Sequence, residues 1–163
     1  MRWSSKRSAM NRESLPAERI LLLAGLASLA LIAGALGFQY IGHLPPCEMC
    51  HWQRWPHIAA ALLGIGGAVL MRRHARDLAW MVVILIVISG LIGAYQTGVQ
   101  WHILPGPSAC TVDHPYVMGS NEAPQVRCDV PTWFFLGLAL PAWNAILSFL
   151  IAGVAAFSLT RRG

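Results

Sequence analysis

The chemistry available to this chain is concentrated in four cysteines. Cys47 and Cys50 are separated by two residues, and Cys110 and Cys128 flank a later polar stretch. A thiolate is both nucleophile and electron donor, and a pair closed across two intervening residues is more often redox-active than structural. Pro45 and Pro46 cannot continue a helix but suit the approach to one, so Cys47 to Arg54 is predicted to form the first turns of a helix. Cys50 and Arg54 then share a face, where the positive end of the helix dipole and the guanidinium both favour thiolate. Pro56 is expected to kink or restart that helix near Trp52. Arg54 has two readings. Arginines at the ends of membrane helices commonly snorkel to headgroups, but beside a thiol pair Arg54 can also stabilise negative charge on an amphiphilic acceptor dissolved in the lipid.

Other uses of these cysteines are open at this level. Two static disulfides would suit an oxidising compartment. Zinc could be held by Cys47 and Cys50 with His43, His51 or His57, although outward thiols in an oxidising space tend to oxidise first. Cys47 to His51 also spells the C-x-x-C-H pattern of c-type haem attachment, a reading that leaves Cys110, Cys128 and Arg54 without a role.

The elements that position these residues are membrane helices. Of the 163 residues, 56% are hydrophobic and 12% charged, with a mean hydropathy of +0.53. That composition predicts a single integral membrane domain over 1–163. The net charge of +5 is scattered among apolar segments rather than gathered on one solvated face, which argues against nucleic acid as a partner. Charges are costly in hydrocarbon and mark the ends of spans. They delimit uncharged stretches at 20–42, 55–71, 78–101 and 130–160. The second is short for a span of about 20 residues, so its helix is expected to begin nearer Cys47. The fourth is too long and is divided by Pro141, giving a short interfacial helix over 132–140 and a last span from Pro141 to Thr160. The predicted fold is thus an all-α four-helix membrane bundle. Gly and Ala spaced four apart, such as Ala30 and Gly34 or Gly64 and Ala68, suit close helix approach but are also simply common here.

All the Lys and Arg residues except Arg54 and Arg127 fall in the N-terminal segment 1–19, between the second and third stretches, or at the C-terminus. The positive-inside rule then places both termini in the cytoplasm and all four cysteines outside. Trp52, Trp55, Trp80, Trp101, Trp133 and Trp143 lie near the predicted boundaries, as an aromatic belt requires. The first span has a basic start but a longer apolar region than a signal peptide, so it is read as a retained helix. The outward loop 102–131 is rich in Pro, Gly and Asn and is expected to be mobile, which suits a disulfide that must meet a soluble partner and a membrane-fixed thiol pair.

Cys47, Cys50 and Arg54 in C-x-x-C-x-x-x-R order, then Gly98-Val99, Gly106-Pro107, Cys110, Cys128 and the run Phe135 to Trp143, resemble the bacterial disulfide bond formation protein B (DsbB) family. The resemblance extends from about Leu21 to Leu159. It implies a multi-pass protein of the bacterial inner membrane, a thiol:quinone oxidoreductase that re-oxidises a periplasmic, thioredoxin-fold DsbA-like carrier. It further implies that the carrier exchanges at Cys110, with Cys128 as partner thiol, and that electrons pass to Cys47 and Cys50. Cys50 and Arg54 would then face ubiquinone or menaquinone. Members commonly carry a histidine and an acidic residue where this chain has Gln96 and Gln100; amides do not titrate at working pH, so neither is given a catalytic role. Vitamin K epoxide reductase relatives also hold four cysteines in a bundle, but with the loop pair preceding the C-x-x-C.

Overall fold

The computed structural model describes residues 16–111 and 126–161. Four long helices dominate: α1 Ala17–Tyr40, α2 Glu48–Leu70, α3 Ala75–Gln100 and α5 Leu140–Thr160, with a four-residue helix α4 Ser108–Thr111 between the last two and a 3-10 turn, Arg72–His74, leading into α3. Helix α3 packs along both α2 and α5, and α1 packs along α2, with further contacts to α3 and α5. The apolar core runs through this assembly at Leu21, Ala60, Val82, Ile86, Ala152 and Leu159. Its inward faces hold many small residues. A Cβ added to Gly25 would stand 2.8 Å from Cα of Gly64, so only glycine permits α1 and α2 to come this close. Gly34 behaves differently: no atom lies within 4 Å of its would-be Cβ, and together with Ala30 it lines a cavity rather than a helix contact.

Among the described residues, three segments are long and apolar enough to cross a membrane: α1, the stretch Arg72–Gln100, and α5. Helix α2 has 23 residues, but Glu48, His51, Gln53, Arg54 and His57 make its first half polar. It begins where the sequence predicts, with Cys47 as N-cap in extended backbone, its sulfur accepting from the Cys50 N–H at 3.3 Å. Pro56 does not restart it, and the helix is continuous from Glu48 to Leu70. One residue past the freed carbonyl of Trp52, the Ser89 hydroxyl of α3 donates to the Gln53 carbonyl at 2.9 Å, bracing the backbone in the turn before the proline.

The interfacial helix expected over 132–140 is replaced by a tight hairpin. Strand β1, Phe134–Phe135, pairs antiparallel with β2, Leu138–Ala139. Leu136 and Gly137 between them both have positive φ, 52° and 78°, the backbone of a two-residue hairpin turn in which glycine is nearly free of strain. A glycine in mid-segment and paired aromatics favour this turn over helix. Trp143 locks the hairpin onto α5 by donating its indole N–H to the Phe135 carbonyl at 3.1 Å. Trp133 stacks on Phe135 and tilts against Phe38 of α1. Pro141, in the first turn of α5, needs no N–H partner there.

Candidate functional site

The site lies at the end of the bundle where α2 begins. Cys110 and Cys128 form a disulfide with Cα atoms 5.4 Å apart, while Cys47 and Cys50 are free thiols. Cys47, Met49, Cys110 and Cys128 make one buried cluster, with Cys50 and Val126 packed against it. Both cysteine pairs are therefore neighbours. The ends of the 102–131 loop are more fixed than its composition predicts: Cys110 sits on α4, its carbonyl accepts from the Cys128 N–H at 2.8 Å, and both cysteines are buried. The burial has a local cause. Gly106 and Pro107 turn the chain so that Thr111 folds back on the Pro107 carbonyl and Cys110 faces Met49. The centre of the loop lies outside the described residues.

The two thiols are unequal. Cys50 is half-buried, receives the Gln96 amide N–H at 3.7 Å and has Arg54 one helical turn on. The Cys47 thiol, at the N-cap just outside the helix, is pushed up by its contact with Cys50 and by its own burial. Cys47 is thus the thiol that keeps its proton.

Cys50 opens onto a cavity of about 340 Å³ between α1, α2 and α5. Its walls are mostly apolar, among them Ala30, Gly34, Phe38, Leu44, Trp143 and Leu147, and its polar groups are Gln53, Arg54, His57 and Asn144. Arg54 is half-buried, held by a 2.6 Å hydrogen bond from Nη1 to Oε1 of Gln39 on α1. Cys50 and Arg54 thus line the same cavity, as their spacing predicts. The size and mixed lining are those of a small-molecule site. A much smaller cavity, about 30 Å³, lies on the other side of the dithiol among Cys47, Cys50, Gln96, Gln100 and Arg127. Arg127 also pairs with Asp129, holding that carboxyl below its usual range.

Gln96 is the residue that sequence reasoning misses. Its side chain is buried, and its amide N–H group is 3.1 Å from the Cys47 sulfur and 3.7 Å from that of Cys50. Its position one helical turn before Gln100 carries no signal for this, because the contact joins residues 49 positions apart. His57, considered above as a zinc ligand, is turned instead toward Ser28, Asn144 and Ser148. No group of three His, Cys, Asp or Glu side chains suited to a metal ion occurs among the described residues.

A helical bundle with apolar spans, carrying a free dithiol and a disulfide packed together at one end, defines a membrane thiol–disulfide oxidoreductase. Residues 17–158 match the family described as disulfide bond formation protein DsbB. Similar proteins include the "Disulfide bond formation protein B" of Cupriavidus metallidurans, 31% identical over 86% of this chain and 91% of that protein. That of Methylococcus capsulatus is 31% identical over 90% of this chain and 94% of its own length. The chain belongs to the DsbB family.

Proposed function

We propose that the protein oxidises a periplasmic DsbA-like dithiol carrier and delivers the electrons to a membrane quinone. The observation that carries this reading is the position of Cys50, with the buried disulfide cluster on one side and the Arg54 cavity on the other. The carrier thiolate opens the Cys110–Cys128 disulfide into a mixed disulfide, and the second carrier thiol releases Cys110 and Cys128 as thiols. One of these then attacks the Cys47–Cys50 disulfide at Cys47, the sulfur buried in the same cluster, and Cys50 leaves as thiolate into the cavity. Closure of the second loop thiol restores Cys110–Cys128 and leaves Cys47 and Cys50 reduced, the arrangement described above.

Returning Cys47 and Cys50 to a disulfide releases two electrons and two protons, and a quinone accepts both to become hydroquinone. The apolar walls fit such a ring and its tail, and the chemistry of the donor set fits its oxygens: Arg54 offers a fixed cation beside the thiolate, and Gln53, His57 and Asn144 offer polar contacts deeper in. In this reading α2 also spans the bilayer: 23 residues at about 1.5 Å each are long enough, and Gln53 and His57 are sheltered by neighbouring helices. Both termini then lie in the cytoplasm, with 1–19 as a cytoplasmic segment and 102–131 as a periplasmic loop.

The test is turnover in nanodiscs, with a reduced thioredoxin-fold carrier and a short-chain ubiquinone or menaquinone. Carrier oxidation that continues over many turnovers and stops when quinone is left out is the expected result. Carrier oxidation independent of quinone, or a Soret band from covalent haem on the purified chain, would overturn the reading.

A further inference from the structure

We propose that His57 is a positioning residue for the Cys47–Cys50 dithiol, acting through a one-way chain of side-chain amides, Asn144, Gln53 and Gln96, whose last N–H rests on the two sulfurs. The direction of the chain follows from its geometry. Gln96 donates to Cys47 and Cys50, so its oxygen is free to accept, and it receives an N–H of Gln53. The Gln53 oxygen in turn receives the Asn144 N–H at 2.8 Å. The Asn144 oxygen lies 3.1 Å from Nε2 of His57, and an amide oxygen only accepts, so His57 must carry its proton on Nε2. The Ser148 hydroxyl oxygen, at 3.3 Å, is a second acceptor for that N–H, and Nδ1 is left to accept from the Ser28 hydroxyl at 3.4 Å. Every donor in the chain is thereby aimed toward the sulfurs.

Such alignment matters because hydrogen bonds in series polarise one another, and more so where water is excluded. His57, Gln53 and Gln96 are buried, and the chain joins three helices, α2, α3 and α5. Reversing one amide would set oxygen against oxygen within the chain or turn an oxygen toward the sulfurs, and His57 with its two serines anchors the far end against this. The other groups facing the dithiol are Arg54 on α2, Arg127 from the loop and the Gln100 amide on α3. The amide chain therefore supplies the inward-facing share of the stabilisation of the negative sulfur, opposite Arg54.

This inference rests on Cys47 and Cys50 being the working dithiol, and its test needs neither carrier nor quinone, so it fails or holds separately from the quinone reading. The reduced full-length chain in nanodiscs is alkylated with iodoacetamide across a pH series and Cys50 modification is followed by mass. Gln96→Met is expected to move the midpoint up and slow alkylation at neutral pH by about tenfold, the effect of losing a hydrogen bond to a charged group. His57→Leu and Asn144→Leu, which touch neither sulfur, move it in the same direction by roughly threefold. His57→Gln, whose N–H can replace that of the imidazole, returns it toward the wild-type value. If the leucine variants do not fold, Asn144→Ser, too short to reach Gln53, carries the same comparison. A purely structural role would lower the melting temperature and leave the midpoint in place; a midpoint moved by Gln96→Met alone would equally overturn the chain.

Discussion

Replacing Cys50 with alanine abolishes quinone-dependent oxidation of the carrier, lowering the rate by at least about 10³-fold, as removal of an attacking group does elsewhere. Cys50 is the thiol that lines the large cavity. No other cysteine lines that cavity, and the loop cysteines are tied in their own disulfide. The loss is therefore chemical rather than structural. Cys50 is only partly buried, and alanine fits the first turn of a helix, so the change in stability is less than about 1 kcal/mol. The carrier can still open Cys110–Cys128 once, which predicts a single round of carrier oxidation per chain followed by arrest. Carrier consumption followed by thiol titration separates these phases. Continued turnover in this variant would contradict the assignment of Cys50.

Arg54→Gln has the second largest expected effect. The guanidinium is fixed by Gln39 at the cavity wall that Cys50 also lines, where in the proposed function the acceptor's oxygen takes on charge. A hydrogen bond to a charged group contributes about 1.5–3 kcal/mol, so kcat/KM for quinone should fall by roughly 10- to 100-fold. The two halves of the cycle respond differently. Opening of Cys110–Cys128 by the carrier is unchanged, because Arg54 lines the cavity and neither of those cysteines does. Arg54→Lys recovers only part of the loss, since an ammonium keeps the charge without the planar fork that meets Gln39 and the cavity together. Steady-state kinetics with quinone and carrier varied separately provide the check: an unaltered quinone kcat/KM in Arg54→Gln would leave Arg54 as a headgroup anchor.

What can be read from the sequence and what cannot differ for a physical reason. Charges end apolar stretches, so the positions of the long helices are legible, down to the start of α2 at Cys47. The cysteines and Arg54 are legible because their chemistry is rare and their spacing is local. The hairpin at Leu136 and Gly137 is harder to read: an apolar segment of that length can be helix or strand, and only Gly137 signals a turn. Pro56 is read as a kink or restart, yet α2 does not restart, being braced from α3 by Ser89. Asn144 escapes altogether, Gln96 stands out only as a departure from the family pattern, and His57 only as one of several zinc candidates. Their role depends on which side chains meet across helices, and amides draw no attention in a search for groups that titrate. The packing of the disulfide onto Cys47 and Met49 is also invisible in a loop whose composition is that of an open segment.

The central claim is that Cys47 and Cys50 give their electrons directly to quinone, and a single anaerobic turnover tests it most directly. The chain carrying Cys110→Ser and Cys128→Ser is reduced, freed of reductant, confirmed as folded and mixed with a short-chain quinone. One hydroquinone per chain, formed together with a Cys47–Cys50 disulfide detected by mass, is the predicted result. A folded chain that forms no hydroquinone, or forms as much after Cys50→Ala is added, would contradict it.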